Sequence, residues 1–135
     1  MLPPKSIHRA QGFTLLELTL VIGVLLALMS TGLFVSSAVD EWRTSKEATE
    51  TLRSAYVAQR MYLSDHPTTS VTALSRDLIL PYYPNRPSTF PQVEGLDGEL
   101  RNIKVTVSPP VVVNADGSVY DPSGSTDDGV WDVGE

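Results

Sequence analysis

The chain of 135 residues contains no cysteine, so no disulfide staples it and no thiolate chemistry is open to it. Histidine is almost as scarce, with only His8 and His66. Neither a histidine-rich metal set, a glycine-rich phosphate loop nor a nucleophile elbow occurs. These absences predict a chain that is not an enzyme. Basic residues are in deficit, with ten Lys and Arg against sixteen Asp and Glu, for a net charge of −6. That balance speaks against nucleic acid as a main partner, because phosphate binding needs a basic surface.

A more local scarcity is the absence of charge from residues 13–39, where Glu17 is the only charged side chain. As a helix this run would be about 40 Å long, enough to cross a hydrocarbon core of about 30 Å. Lys5, His8 and Arg9 precede it, and Asp40 and Glu41 follow it. The basic flank predicts a cytoplasmic N-terminus, with the rest of the chain facing outward. A mean hydropathy of −0.03 averages this apolar third with a polar remainder. The run is too long for a secretory signal peptide, whose apolar stretch is about 7–15 residues. It is also too long a rod for so small a protein to bury. A plain signal anchor fits the length but gives Glu17 no purpose.

Gly12-Phe13-Thr14-Leu15-Leu16-Glu17, set between a short basic leader and the apolar run, resembles the processing site of type IV pilins and type II secretion pseudopilins. The resemblance implies that a prepilin peptidase cuts on the cytoplasmic side after Gly12. Phe13 then becomes an N-methylated first residue, and Glu17, the fifth, serves assembly. Elementary electrostatics agrees. A carboxylate at the centre of a bilayer costs about 2.5–3.5 kcal/mol, and less near the interface. Cutting after Gly12 creates an amine four residues before Glu17, on the same helix face, and a helix N-terminus itself favours negative charge. Glu17 can pair with its own Phe13 amine or with a neighbour's; in the family the neighbour pairing sets subunit register. One departure concerns the helix: Phe34 stands where family members often carry proline. Gly32 nearby allows either local melting or close helix packing.

The helix is expected to continue to about His66, since no Gly or Pro intervenes before Pro67. Ala48, Leu52, Ala55, Tyr56, Met61, Tyr62 and Leu63 recur at roughly helical spacing and predict a packed face. Lys46, Glu47, Glu50 and Arg53 predict a face toward solvent or other subunits, with Lys46 and Glu50 at i,i+4. A short second helix is expected after a Thr69 or Ser70 cap, with Val71, Leu74, Leu78 and Ile79 as its apolar face and Pro81 as its stop. The segment from Tyr62 through Pro67-Thr68-Thr69 is loosely similar to the one following the long helix of major pseudopilins. Beyond Phe90, residues 100–107 alternate as a strand, and residues 111–121 read as a hairpin turning at Asp116-Gly117. Residues 130–133 read as a last strand. The expected fold class is α+β: a long N-terminal helix with a small antiparallel sheet of three or four strands on its second half. The expected divisions are a leader at 1–12, a membrane half at 13–39, an amphipathic half at 40–66 and a head at 67–135.

From residue 114 to the end there are six acids and no base. Calcium takes six to eight oxygen ligands, and clustered Asp among Gly and Ser suits it. Major pseudopilins bind calcium in a C-terminal loop, and that resemblance implies Asp121, Asp127 and Asp128 as the ligands here. However, Ser123-Gly124 follows Asp121-Pro122 where the family has an aromatic-glycine step, and no bidentate Glu stands at the needed distance. The other reading is a solvated acidic loop.

Together these readings predict a subunit of a pilin-like filament, a type II secretion pseudopilin by its short chain and lack of Cys. It would wait in the bacterial inner membrane and then join a periplasmic or cell-surface filament. The partners implied are further copies of itself, other pilins or pseudopilins, the prepilin peptidase and an inner-membrane assembly platform. The alternatives are a true type IV pilin, for adhesion, motility or DNA uptake, and a signal-anchored periplasmic binding domain.

Overall fold

The computed structural model describes residues 12–134. Lys5, His8 and Arg9 of the expected leader, and the terminal Glu135, lie outside them. The architecture is α+β, a long N-terminal helix and a small antiparallel sheet. Helix α1 spans Leu15–Asp65, and the chain divides between Ala38 and Val39 into two compact units.

In the first unit every described residue is exposed. Its apolar stretch has a mean hydropathy of 2.4 over 18 residues, and none of that window is buried. By length and composition it can cross a membrane. Four of its hydroxyls, on Thr19, Ser30, Thr31 and Ser37, return to the helix backbone: Ser30 Oγ donates to the Leu26 carbonyl at 2.9 Å and Thr31 Oγ1 to that of Ala27 at 3.0 Å. Such bonds leave no hydroxyl proton seeking water, which suits an apolar setting. The helix runs unbroken through Gly32 and Phe34.

In the second unit α1 turns amphipathic. Ser45, Ala48, Thr49, Leu52, Ala55, Ala58, Gln59 and Tyr62 are buried, recurring at three- and four-residue steps. Met61, expected on this face, is half exposed, because the stripe passes through Ala58 and Gln59 instead. The stripe meets Leu74, Ile79, Tyr83, Val93, Ile103, Val112 and Trp131 in one core. Small Ala side chains on the helix let these larger residues approach it closely.

The expected second helix is instead three short pieces. A 3₁₀ turn, Val71–Ala73, is capped by the Ser70 hydroxyl. Helix α2, Arg76–Ile79, follows an extended Ser75. Helix α2 ends at Ile79 with Leu80 as its C-cap, and Pro81 follows directly, as expected of a stop; a further 3₁₀ turn, Leu80–Tyr82, takes Pro81 near its start, where the lost N–H has no role. Strand β1 (Val93–Glu94) was not expected; it pairs antiparallel with β2 (Leu100–Lys104), which pairs antiparallel with β3 (Val111–Val113). The ladder of β2 ends at Lys104, short of the expected 107, because the Val105 and Val107 carbonyls turn to Gln59 Nε2 at 2.9 and 2.8 Å. The Asp116-Gly117 turn forms, with Asn114 N–H bonded to the Ser118 carbonyl at 2.9 Å. Its returning arm is a single bridge at Val119.

Candidate functional site

The residues singled out by the sequence lie at two ends of the chain, and each end has its own geometry.

At the N-terminal end Gly12, Phe13 and Thr14 precede the helix, and Phe13 is 90% exposed. Thr14 is the helix cap. Its Oγ1 accepts the Glu17 N–H at 3.2 Å, while Glu17 Oε2 accepts the Thr14 N–H at 2.9 Å and the Thr14 hydroxyl at 3.0 Å. This is a capping box, in which each side chain satisfies a backbone N–H that the first helical turn leaves free. The carboxylate is therefore held one turn into the helix, beside the Gly12-Phe13 step. Thr14-x-x-Glu17 is itself a capping signature legible in the sequence, and a reading centred on charge alone passes over it. From Phe13 to Trp42 the large apolar side chains are exposed, with Phe34 at 77% and Leu15 at 82%. Nothing among the described residues covers them.

At the other end the acidic segment is a chain of small turns. Asp121 Oδ1 accepts from Ser123 N–H at 3.0 Å and from its hydroxyl at 2.7 Å. Asp127 Oδ1 accepts from Ser125 Oγ at 3.1 Å, and Asp128 Oδ1 from Val130 N–H at 2.9 Å. Each of the three expected calcium ligands thus serves its own turn, and no group of three carboxylates or histidines converges among the described residues. Asp121 shares a cavity of about 170 Å³ with Asp132, a residue the calcium reading does not include.

Asp132 organises the loop. Its Oδ1 accepts the Gly129 N–H at 3.0 Å and the Gly134 N–H at 2.6 Å, and its Oδ2 accepts the Asp128 N–H at 3.1 Å. Three donors on one carboxylate fold residues 128–134 into a clasp, with Trp131 at a φ of 64°. The expected strand at 130–133 is absent: Trp131 takes a positive φ, the Val130 N–H goes to Asp128 Oδ1, and the Trp131 N–H goes to Thr49 Oγ1 rather than to a ladder. The clasp docks on α1. Thr49 Oγ1 accepts the Trp131 N–H at 3.1 Å and shares its proton between the Ser45 and Gly129 carbonyls at 3.0 and 3.2 Å. Lys46 Nζ donates to the Gly129 carbonyl at 3.1 Å, and Arg53 Nε to that of Val133 at 2.9 Å. Lys46 and Arg53, expected toward solvent or neighbours, instead hold the C-terminal segment, and no Lys46–Glu50 pair forms.

Across the sheet, Arg101 lies 3.8 Å above the Tyr120 ring and pairs with Asp97. That pairing, helped by the Glu99 N–H, holds the Asp97 carboxyl well below the usual range. Tyr120 meets Trp131 edge to face at 5.2 Å, so the clasp also reaches the sheet. His66 stacks on Tyr62 at 4.3 Å, and its Nδ1 lies 3.1 Å from the Tyr62 carbonyl. It thus closes the end of α1, as its position beside Pro67 suggests. Compared with known family models, curated proteins and solved structures, the chain matches none of them.

Proposed function

We propose that this chain is a structural subunit of a type IV pilin-like filament, and more narrowly a type II secretion pseudopilin. The observation that carries the reading is the joining of two features. A helix with a fully exposed apolar half, able to cross a membrane, begins with a capped carboxylate directly behind an exposed Gly12-Phe13 step. In this reading the peptidase cuts after Gly12 and Phe13 is methylated. The apolar half resides first in the inner membrane and then against the same half of other copies. Burying an exposed Leu is worth about 1.5–3 kcal/mol in water, so so large an apolar surface needs either lipid or partners. The role is structural rather than catalytic, and the partners are other subunits, the peptidase and the assembly platform.

Glu17 is the hinge of the proposal. Capping holds it on the helix end, where a neighbour's Phe13 amine can reach it. The test is the Glu17→Ala variant in cells that process the chain. The expected result is normal removal of the first twelve residues with loss of filaments. Normal filaments from that variant would overturn the assembly role. A secretin-dependent secretion defect in cells lacking the chain would mark the pseudopilin; loss of twitching or adhesion would mark a true type IV pilin. Calcium in the acidic loop is the remaining part of the proposal. A fall in melting temperature on adding a chelator supports it, and an unchanged one removes it.

A further inference from the structure

A groove of about 470 Å³ lies between the segment before α2 and the β2–β3 strands. Its charged residues are Arg76 and Lys104, with Asn102 and Asn114 among its polar ones, and no carboxylate lines it. The Arg76 guanidinium is steadied by a 2.7 Å bond to Asn102 Oδ1, which Gln92 also holds at 3.1 Å. Among the described residues the one ion pair is Arg101–Asp97, so Arg76 and Lys104 have no carboxylate partner among them. Arg76 and Lys104 thus make the groove a locally basic feature on a protein with a net charge of −6.

The loop at Asp127-Asp128 has the complementary chemistry. Both residues are exposed, and each engages only its Oδ1, leaving Oδ2 open. The two features sit at different levels of α1. The loop is held through Lys46, Thr49 and Arg53, whereas Val105, which lines the groove, is bonded to Gln59. About ten helical residues separate these levels, or about 15 Å along the axis. In the filament reading copies run parallel, and complementary patches displaced along a shared axis then do not pair reciprocally as they would in a two-fold dimer. They join copies head to tail, the contact type that generates open helical assemblies.

We infer that the Arg76–Lys104 groove receives the Asp127-Asp128 loop of a second copy of this chain. The inference rests on the filament reading with the Asp127-Asp128 loop free of calcium, and adds to it a contact between heads that would fix their axial stagger. Free carboxylate oxygens of the loop accept hydrogen bonds from the guanidinium and the ammonium, and the groove walls shield the pairs from salt.

The absence of cysteine makes the test direct. Two differently tagged full-length copies are made together in cells that process the chain, one carrying Lys104→Cys and the other Asp128→Cys. A short thiol cross-linker should join them at least tenfold more than it joins Lys104→Cys to an exposed Ser64→Cys. In a second arm, Arg76→Glu with Lys104→Glu should shorten filaments, and adding Asp127→Lys with Asp128→Lys should restore their length. Cross-linking no greater than at Ser64, in cells that display filaments, overturns the groove contact and leaves the filament reading standing. Cells with neither cross-links nor filaments overturn both.

Discussion

Thr14 and Glu17 cap each other at the start of α1: the threonine hydroxyl takes the glutamate N–H at 3.2 Å, and the carboxylate takes the threonine N–H at 2.9 Å. Glu17 is thus a helix cap as well as the one charge in an apolar run. The two roles can be separated. Thr14→Ala removes half of the box and should weaken the first turn by about 0.5–2 kcal/mol. If Glu17 acts in assembly through its charge, Thr14→Ala keeps filaments while Glu17→Ala loses them. Equal losses in the two variants, judged by filament yield under the microscope, would reduce Glu17 to a cap.

The C-terminal clasp is an integral part of the head. Thr49 is 1% exposed and links the helix to residues 80 and 82 positions later in the chain. Thr49→Val keeps the shape but strands the Trp131 N–H and weakens the hold on the Gly129 carbonyl. The expected loss is about 1–3 kcal/mol, seen as a lower midpoint in denaturant unfolding. An unchanged midpoint would show that the clasp contributes nothing to stability.

Tyr83 gives a pH signature. Burial pushes its hydroxyl up to about 12 from an ordinary value of 10, and its proton is donated to the Thr51 carbonyl at 2.7 Å. The folded state therefore holds this proton more tightly than the unfolded state does. Its contribution to stability is complete below about pH 10 and is lost as pH rises from there through about 12. Tyr83→Phe should be flatter than the parent over that window in thermal melts. A parallel decline in both proteins would assign the alkaline loss to other groups.

The long helix was legible because nothing in its sequence interrupts it: no proline occurs from Gly12 to His66, and its two glycines lie in the exposed half. Helical periodicity found Ala48, Leu52, Ala55 and Tyr62 in the core. It missed Thr49 and Gln59, because the backbone groups that bond Thr49 Oγ1 and Gln59 Nε2 in the core are 46 to 82 residues away, while Gln59 Oε1 has no partner among the described residues. The head was harder. Val130-Trp131-Asp132-Val133 alternates like a strand, yet Asp132 gathers three N–H groups and bends the chain around itself. Pro81 does stand just past the end of α2, whose last residue is Ile79, and the 3₁₀ turn that follows takes the proline near its start without loss. At the N-terminal end Glu17 stood out by its charge, and Gly12 and Phe13 only by resemblance to a prepilin processing site, whereas a reading centred on charge passed over Thr14.

The central claim is that the chain becomes a filament subunit by being cut between Gly12 and Phe13, which creates the amine Glu17 is placed to meet. Mass spectrometry of the protein from cells holding the peptidase tests this most directly. The account predicts a mature chain that begins at Phe13 and carries one methyl group on its amine. A chain that still begins at Met1 in those cells would contradict it.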